Sequence, residues 1–246
     1  MMRLDKFLAD LGISSRKEIR GMIRSGRVQV NGECVRQADL HVDTGKDDIR
    51  LDGGILQYRK YRYFAMDKPT GVVTASEDRR QRTVLDLLPQ NLKNLGLFPV
   101  GRLDKDTSGL LLLTNDGEFA HRVISPKAGI EKKYYAVTEG TPDDADVTAF
   151  RNGLVLRDGL HCLPAQLEVS GENSCLVTVR EGKYHQVRRM LAAVGKPVLE
   201  LRRLSVGALR IDDLEFENGI CELSQQQLDA VFGGNIQKKE AVKAGI

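Results

Sequence analysis

The chain has 246 residues, 41% hydrophobic and 29% charged, which is ordinary globular composition for one large domain or a small one joined to a medium one. A formal net charge of +3 tolerates an anionic partner without requiring one. No apolar run approaches bilayer length and the start MMRLDKFLAD lacks a signal-peptide core, so a cytoplasmic protein without membrane contact is expected.

Residues 1–58 read as a small unit. Leu4, Phe7, Leu8 and Leu11 recur at helical spacing and Gly12 ends that helix. Ser14 or Ser15 then caps a second helix with Glu18 in its first turn, and Gly26 closes it. In RVQVNGECVR the alternating runs flank Asn31-Gly32, a strong hairpin signal. On the second helix Arg16, Arg20, Arg24 and Arg27 recur at steps of four, four and three, so they share a face. With Lys17 they outnumber the lone acid of that stretch, Glu18, and such a stripe suits a phosphate backbone held without regard to base identity. A merely solvated helix face is the alternative. The stretch RLDKFLADLGISSRKEIRGMIRSGRVQVNGECV resembles the S-four-type RNA-binding domain, a module that delivers a larger partner to structured RNA and is not itself catalytic.

Residues 53–60, GGILQYRK, read as a linker opened by two glycines. The larger unit, 59–235, mixes strand-like runs (YRYFAM, LLLLT, KYYAVT, CLVTV, VLELRRLSV) with helix-like ones (GEFAHRVI, ADVTAFRNGL, YHQVRRMLAAVG, SQQQLDAVF). Strict alternation is absent, so the expected fold class is α+β with a mainly antiparallel sheet. Residues 236–246 read as a flexible tail.

Cys34, Cys162, Cys175 and Cys221 are scattered, with no C-x-x-C pair and no histidine at zinc-ligand spacing, and read as reduced, mostly buried thiols. Phosphate-loop and dinucleotide fingerprints are missing, so no cofactor and no metal are expected and the chemistry must come from ordinary side chains. The most unusual stretch is FPVGRLDKDTSGLLLLTNDG, a charged, turn-rich loop between apolar segments. It reads as a structural turn with capping carboxylates or as a catalytic carboxylate held by an arginine. A calcium loop fails, because position twelve counted from Asp104 is Asn115 and an apolar strand follows.

This loop is similar, almost residue for residue, to the catalytic motif of the pseudouridine synthases that act on small-subunit ribosomal RNA and their relatives. DKPTGVV resembles the first motif of that family, EKKYYAV the strand bearing its active-site tyrosine, and EGKYHQVRRMLAAVG its third motif. With the N-terminal module, the resemblance covers nearly the whole chain. It implies Asp104 as the essential aspartate, Tyr134 as the active-site tyrosine, Arg188 as the cation that pairs with the aspartate and Leu191 as an apolar pocket residue. Arg102 is expected to orient the loop or hold a phosphate. The spacing from Glu131 favours Tyr134 over Tyr135. His185 can share a helix face with Arg188 or Arg189 and is given no proton-transfer role.

The implied chemistry breaks the bond between ribose and base nitrogen, turns the base and rejoins it through ring carbon five. The sugar becomes electron-poor as the base departs, so a carboxylate can attack it, stabilise it or remove a neighbouring proton. Each route needs an ionised Asp104, which a nearby cation favours. The expected partner is ribosomal RNA or a ribosomal subunit assembly intermediate, met by a monomer. Large-subunit RNA, a binding protein without activity, and a glycosidase using Asp104 and Asp106 are the rivals. The pair Tyr184-His185 and the start RLDKFLADLG look more like the small-subunit type, and carboxylates at adjacent-but-one positions are not expected to flank a glycosidic bond from two sides.

Overall fold

The computed structural model describes residues 1–233, so the tail expected over 236–246 lies outside the described residues. The chain divides into two compact units, one of Met1–Arg62 with Leu87–Phe98, the other of Tyr63–Asp86 with Pro99 onward.

In the first unit a two-residue strand Met2–Arg3 (β1) leads into helices Leu4–Asp10 (α1) and Arg16–Arg24 (α2). Ser15 caps α2 in a full capping box: its side chain accepts from the Glu18 amide while Glu18 reaches back to the Ser15 amide. Strands Val28–Val30 (β2), Glu33–Cys34 (β3), His41–Val42 (β4), Ile49–Leu51 (β5) and Gly54–Ile55 (β6) follow. Four of them form a sheet in the order β3-β2-β5-β6, and β1 pairs with β4. The β2–β3 hairpin turns on Asn31 and Gly32, at φ of 53° and 86°, the positive values a tight two-residue turn needs. Apolar stripes of both helices meet the sheet in a core of Leu4, Phe7, Leu8, Ile19, Ile23, Val28, Val42 and Ile49.

The expected linker belongs partly to this unit. Its Gly54–Ile55 is a strand on β5, and Tyr58 stacks on Phe7 with ring centres 5.7 Å apart and donates to Asp10 at 3.3 Å. Two glycines suggested a loose segment, but an edge strand of two residues is too short to show an alternating pattern.

The second unit is built on one sheet. Its strands are Tyr63–Lys68 (β7), Phe98–Val100 (β8), Thr107–Thr114 (β9), Lys132–Thr138 (β10), Gln166–Gly171 (β11), Ser174–Val179 (β12), Val198–Val206 (β13), Leu209–Arg210 (β14) and Ile220–Glu222 (β15). The main path runs β11-β12-β10-β13-β9-β7-β15, with β14 on β13 and β8 on β9. Along the main path pairing is antiparallel apart from β9 with β13, which run parallel. At that seam Gly109 lets two backbones meet: a Cβ there would fall 2.3 Å from the Arg203 carbonyl oxygen. The helices are Gln90–Lys93 (α3, grouped with the first unit), Gly117–Ile124 (α4), Asp144–Asn152 (α5), Gln186–Ala193 (α6) and Gln225–Val231 (α7). The architecture is α+β with a mainly antiparallel sheet. The edge strand β11 was not expected from the sequence. Among the described residues no helix is long and apolar enough to cross a membrane.

Candidate active site

Asp104 sits in the turn that joins β8 to β9, where Gly101, at φ 76°, starts the turn and Thr107 opens the strand. The turn closes on itself through the Thr107 amide, which donates to the Asp104 carbonyl at 3.1 Å. The rest of its support comes from the DKPTGVVTA segment after β7. The Gly71 amide donates to the Lys105 carbonyl at 2.8 Å, and the Thr74 hydroxyl donates to the Leu103 carbonyl at 2.7 Å.

Lys68, at the end of β7, is completely buried beneath this turn. Its ammonium donates to the carbonyls of Asp104 at 3.1 Å, Thr107 at 2.9 Å, Pro69 at 3.0 Å and Lys105 at 3.4 Å. Burial lowers its pKa from the ordinary 10.5 to about 8, while the charges of Asp104 and Asp106 pull the other way. A buried lysine is normally costly; here it gathers the turn's carbonyls onto one cation. Sequence reasoning placed Lys68 in a motif but gave it no task.

The Asp104 carboxylate faces a cleft enclosing about 420 Å³ of empty space, mouth included, and its side chain is 30% exposed. Tyr134, from β10, lines the same cleft and packs its ring against the core behind. Strand alternation puts Tyr135 on the opposite face. Arg102 is exposed at the wall, and Leu103, Val179, Val187 and Leu201 supply apolar lining.

The third motif forms the facing wall. Glu181 is buried; it accepts from the Leu163 amide at 2.9 Å and from the Gln186 side chain at 2.7 Å, and it pairs with Lys183 at 2.9 Å. These contacts fix the turn into α6, whose N-cap His185 adopts a left-handed backbone at φ 48°. His185 Nε2 thereby comes within 3.4 Å of Asp104 Oδ1, and Tyr184 stacks on the imidazole with centres 3.9 Å apart.

The expected pair of Arg188 with the Asp104 carboxylate is therefore not formed; within 4 Å, among the described residues, the side chain that approaches that carboxylate is the His185 imidazole. Arg188 lies one turn into α6, and its guanidinium donates instead to the Asp106 carbonyl at 3.0 Å and the Val198 carbonyl at 3.3 Å. It reaches the Asp104 turn through the backbone. Leu191 is also placed differently: it is fully buried in the core, and Val187, one turn earlier on that face of α6, lines the cleft. The histidine was legible only as a side chain near Arg188, because its left-handed backbone has no signature in residue type.

On α2 Arg16, Arg20 and Arg24 are exposed, whereas Arg27, expected on the same helix face, lies beyond the helix end, after Gly26 at φ 77°. Arg27 is clamped by Asp52 through its Nε at 2.9 Å, and Arg20 stands 3.5 Å from Asp5. Arg16 and Arg24 have no carboxylate partner among the described residues.

A cleft that combines a loop-mounted carboxylate with an aromatic floor, together with an exposed stripe of arginines on a separate unit, fits an enzyme that works on a base of a nucleic acid. Comparison with known proteins gives the class. Residues 62–193 match the RNA pseudouridylate synthase family and residues 2–49 the S4 domain. An uncharacterised RNA pseudouridine synthase of Bacillus subtilis is 40% identical over 231 residues, 92% of this chain and 97% of that protein. The ribosomal small subunit pseudouridine synthase A of Pseudomonas aeruginosa is 41% identical over 213 residues, 86% of this chain and 92% of that one. A crystal structure of a pseudouridylate synthase superposes with a TM-score of 0.65 at 32% identity, covering 94% of this chain and 100% of that one. The chain belongs to the RNA pseudouridine synthase family, and it is an isomerase that converts uridine to pseudouridine.

Proposed function

We propose that this enzyme isomerises a uridine of small-subunit ribosomal RNA, with Asp104 as its catalytic carboxylate. The observation that carries the site is the position of that carboxylate in one cleft with Tyr134. The target uridine must leave its stack to enter, at a cost of a few kcal/mol. Stacking on Tyr134 returns roughly 1–3 kcal/mol, and phosphate contacts of Arg16, Arg20 and Arg24 on α2, and of Arg27 just beyond it, add to it. In the cleft the bond between C1′ and N1 breaks, Asp104 meets the electron-poor sugar, the base turns, and a C1′–C5 bond forms as C5 gives up a proton and the freed N1 takes one up. Atoms are conserved and no group is transferred. Arg188 acts on this step through the Asp106 carbonyl, and Arg102, exposed at the wall, meets a phosphate.

The choice of the small subunit rests on the Tyr184-His185 pair and on the similarity to the Pseudomonas aeruginosa enzyme, whose name places it on that subunit. The substrate is the RNA or an assembly intermediate of the ribosomal subunit, met by a monomer in the cytoplasm without membrane involvement, and the domain division is 1–58 for delivery and 59–235 for chemistry.

Mapping pseudouridines in ribosomal RNA from cells with and without the protein is the test. One site lost from the small subunit, and restored by wild type but not by Asp104→Asn, is expected. A site lost from the large subunit would overturn the substrate assignment, and full rescue by Asp104→Asn would overturn the catalytic one.

A further inference from the structure

We propose that Tyr184, stacked on His185 at the mouth of the cleft, is the platform for the nucleobase next to the extruded uridine. The inference rests on the reading of the cleft as the place where uridine is isomerised, and it assigns the RNA contact that sets specificity beside it.

Tyr184 is 71% exposed, more than any other of the six tyrosines. A ring so exposed contributes little to the core. Yet it is not a loose side chain. One face is held against the imidazole of His185, at 3.9 Å between centres and 18° between planes. The backbone beneath it is fixed twice, by the left-handed conformation of His185 and by Arg189, whose guanidinium donates to the Tyr184 carbonyl at 3.4 Å. Since His185 Nε2 stands 3.4 Å from Asp104 Oδ1, the stack is tied to the catalytic carboxylate. A rigid aromatic ring with one open face, next to a cleft that takes in a single nucleoside, is what an adjacent base requires.

The chemistry of extrusion supplies the occupant. When a uridine swings out of its strand, each neighbouring base loses a stacking partner on the side it leaves. Tyr134 lies inside the cleft and can serve only the base that enters. Tyr184 lies outside it, beyond His185, and its open face can replace the partner that the neighbour has lost. Arg102, exposed at the wall and without a carboxylate partner among the described residues, supplies a cation for the phosphate that links the two nucleotides. Stacking of this kind tolerates any base but favours purines, which have the larger π surface.

The test compares wild type, Tyr184→Phe and Tyr184→Ala as full chains, on ribosomal RNA tritiated at uracil C5 and on a short RNA spanning the modified uridine with 2-aminopurine at one or the other neighbouring position. Tyr184→Ala should raise KM on the order of tenfold with a smaller change in kcat, and Tyr184→Phe should retain most of the affinity. Wild type and Tyr184→Phe should quench 2-aminopurine at one of the two positions; Tyr184→Ala should not. Because the chain has no tryptophan, the probe can be read without protein background at its excitation wavelength. A loss confined to kcat, with quenching intact in Tyr184→Ala, would mean that the tyrosine only steadies His185, and the platform would be overturned. Turnover of large-subunit rather than small-subunit RNA would overturn the substrate assignment alone, since the three proteins are compared on whichever RNA is turned over.

Discussion

Replacing Lys68 with methionine keeps the length of the side chain and removes its charge and donors. The ammonium has three protons for four carbonyl oxygens between 2.9 and 3.4 Å away, and three of those oxygens belong to the Asp104 turn. A buried acceptor left without a partner costs roughly 1–3 kcal/mol. Losing all three N–H donors, partly offset by no longer burying a cation, gives a net penalty of about 2–4 kcal/mol. Some of it will be met by the turn relaxing away from its present shape, which displaces Asp104. At about 1.4 kcal/mol per factor of ten, 2–3 kcal/mol of lost preorganisation lowers kcat by roughly 30- to 150-fold. The melting temperature should fall as well, by about 2–4 °C per kcal/mol. RNA affinity should change little, because the α2 arginines are remote in sequence from the turn. Tritium release gives kcat, a thermal melt gives stability, and filter binding gives affinity. A variant with wild-type kcat and an unchanged melt would refute the claim that this cation organises the turn.

Other perturbations follow from the same geometry. Changing Arg16 and Arg24 together to alanine should reduce the slope of log affinity against log salt by about 1.4–1.8, taking roughly 0.7–0.9 per phosphate contact; Arg27→Ala should change it less, because Asp52 already engages that guanidinium. An unchanged slope in the double variant would remove the stripe from the RNA interface. Tyr134→Phe should keep RNA affinity better than Tyr134→Ala, measured by competition binding, and equal losses would exclude stacking. Glu18 is held at a pKa of about 2, below its ordinary 4.5, by hydrogen bonds from Ser14 and Ser15. A depressed carboxyl stabilises the folded state above its unfolded value and loses that contribution as pH falls from about 4.5 through about 2. Glu18→Gln should therefore flatten the dependence of stability on pH in that window, followed by circular dichroism of the full chain; an unaltered acid limb would count against the capping box.

The strands and helices that carry a strong period were legible. GEFAHRVI is α4 and VLELRRLSV is β13, residue for residue. The missed strand β11 is exposed at five of its six positions, so only Leu167 marks its buried face. Within the site, the loop around Asp104 stood out because charge and glycine interrupt apolar sequence. Lys68 did not, because a lysine at a strand end reads as a surface residue, and its burial is decided by carbonyls 36 to 39 residues away. The contact between His185 and Asp104 joins residues 81 positions apart through a left-handed backbone. Arg188 was found by motif, yet its partner is a main-chain oxygen, and backbone acceptors are the same for every residue type.

The position of β13 has a consequence for how the enzyme is made. It lies between β10 and β9, so it alone joins the β11-β12-β10 half of the sheet to the β9-β7-β15 half. Asp104 stands at the entry to β9, while Tyr134 stands on β10. During translation, roughly seventy residues separate the emergence of Tyr134 from that of the strand that brings the two halves together, and this long-range closure is slow relative to local folding. A nascent chain that has not yet released β13 thus holds both residues with no shared cleft. The cleft is therefore complete only once the strand that joins the two halves has been made.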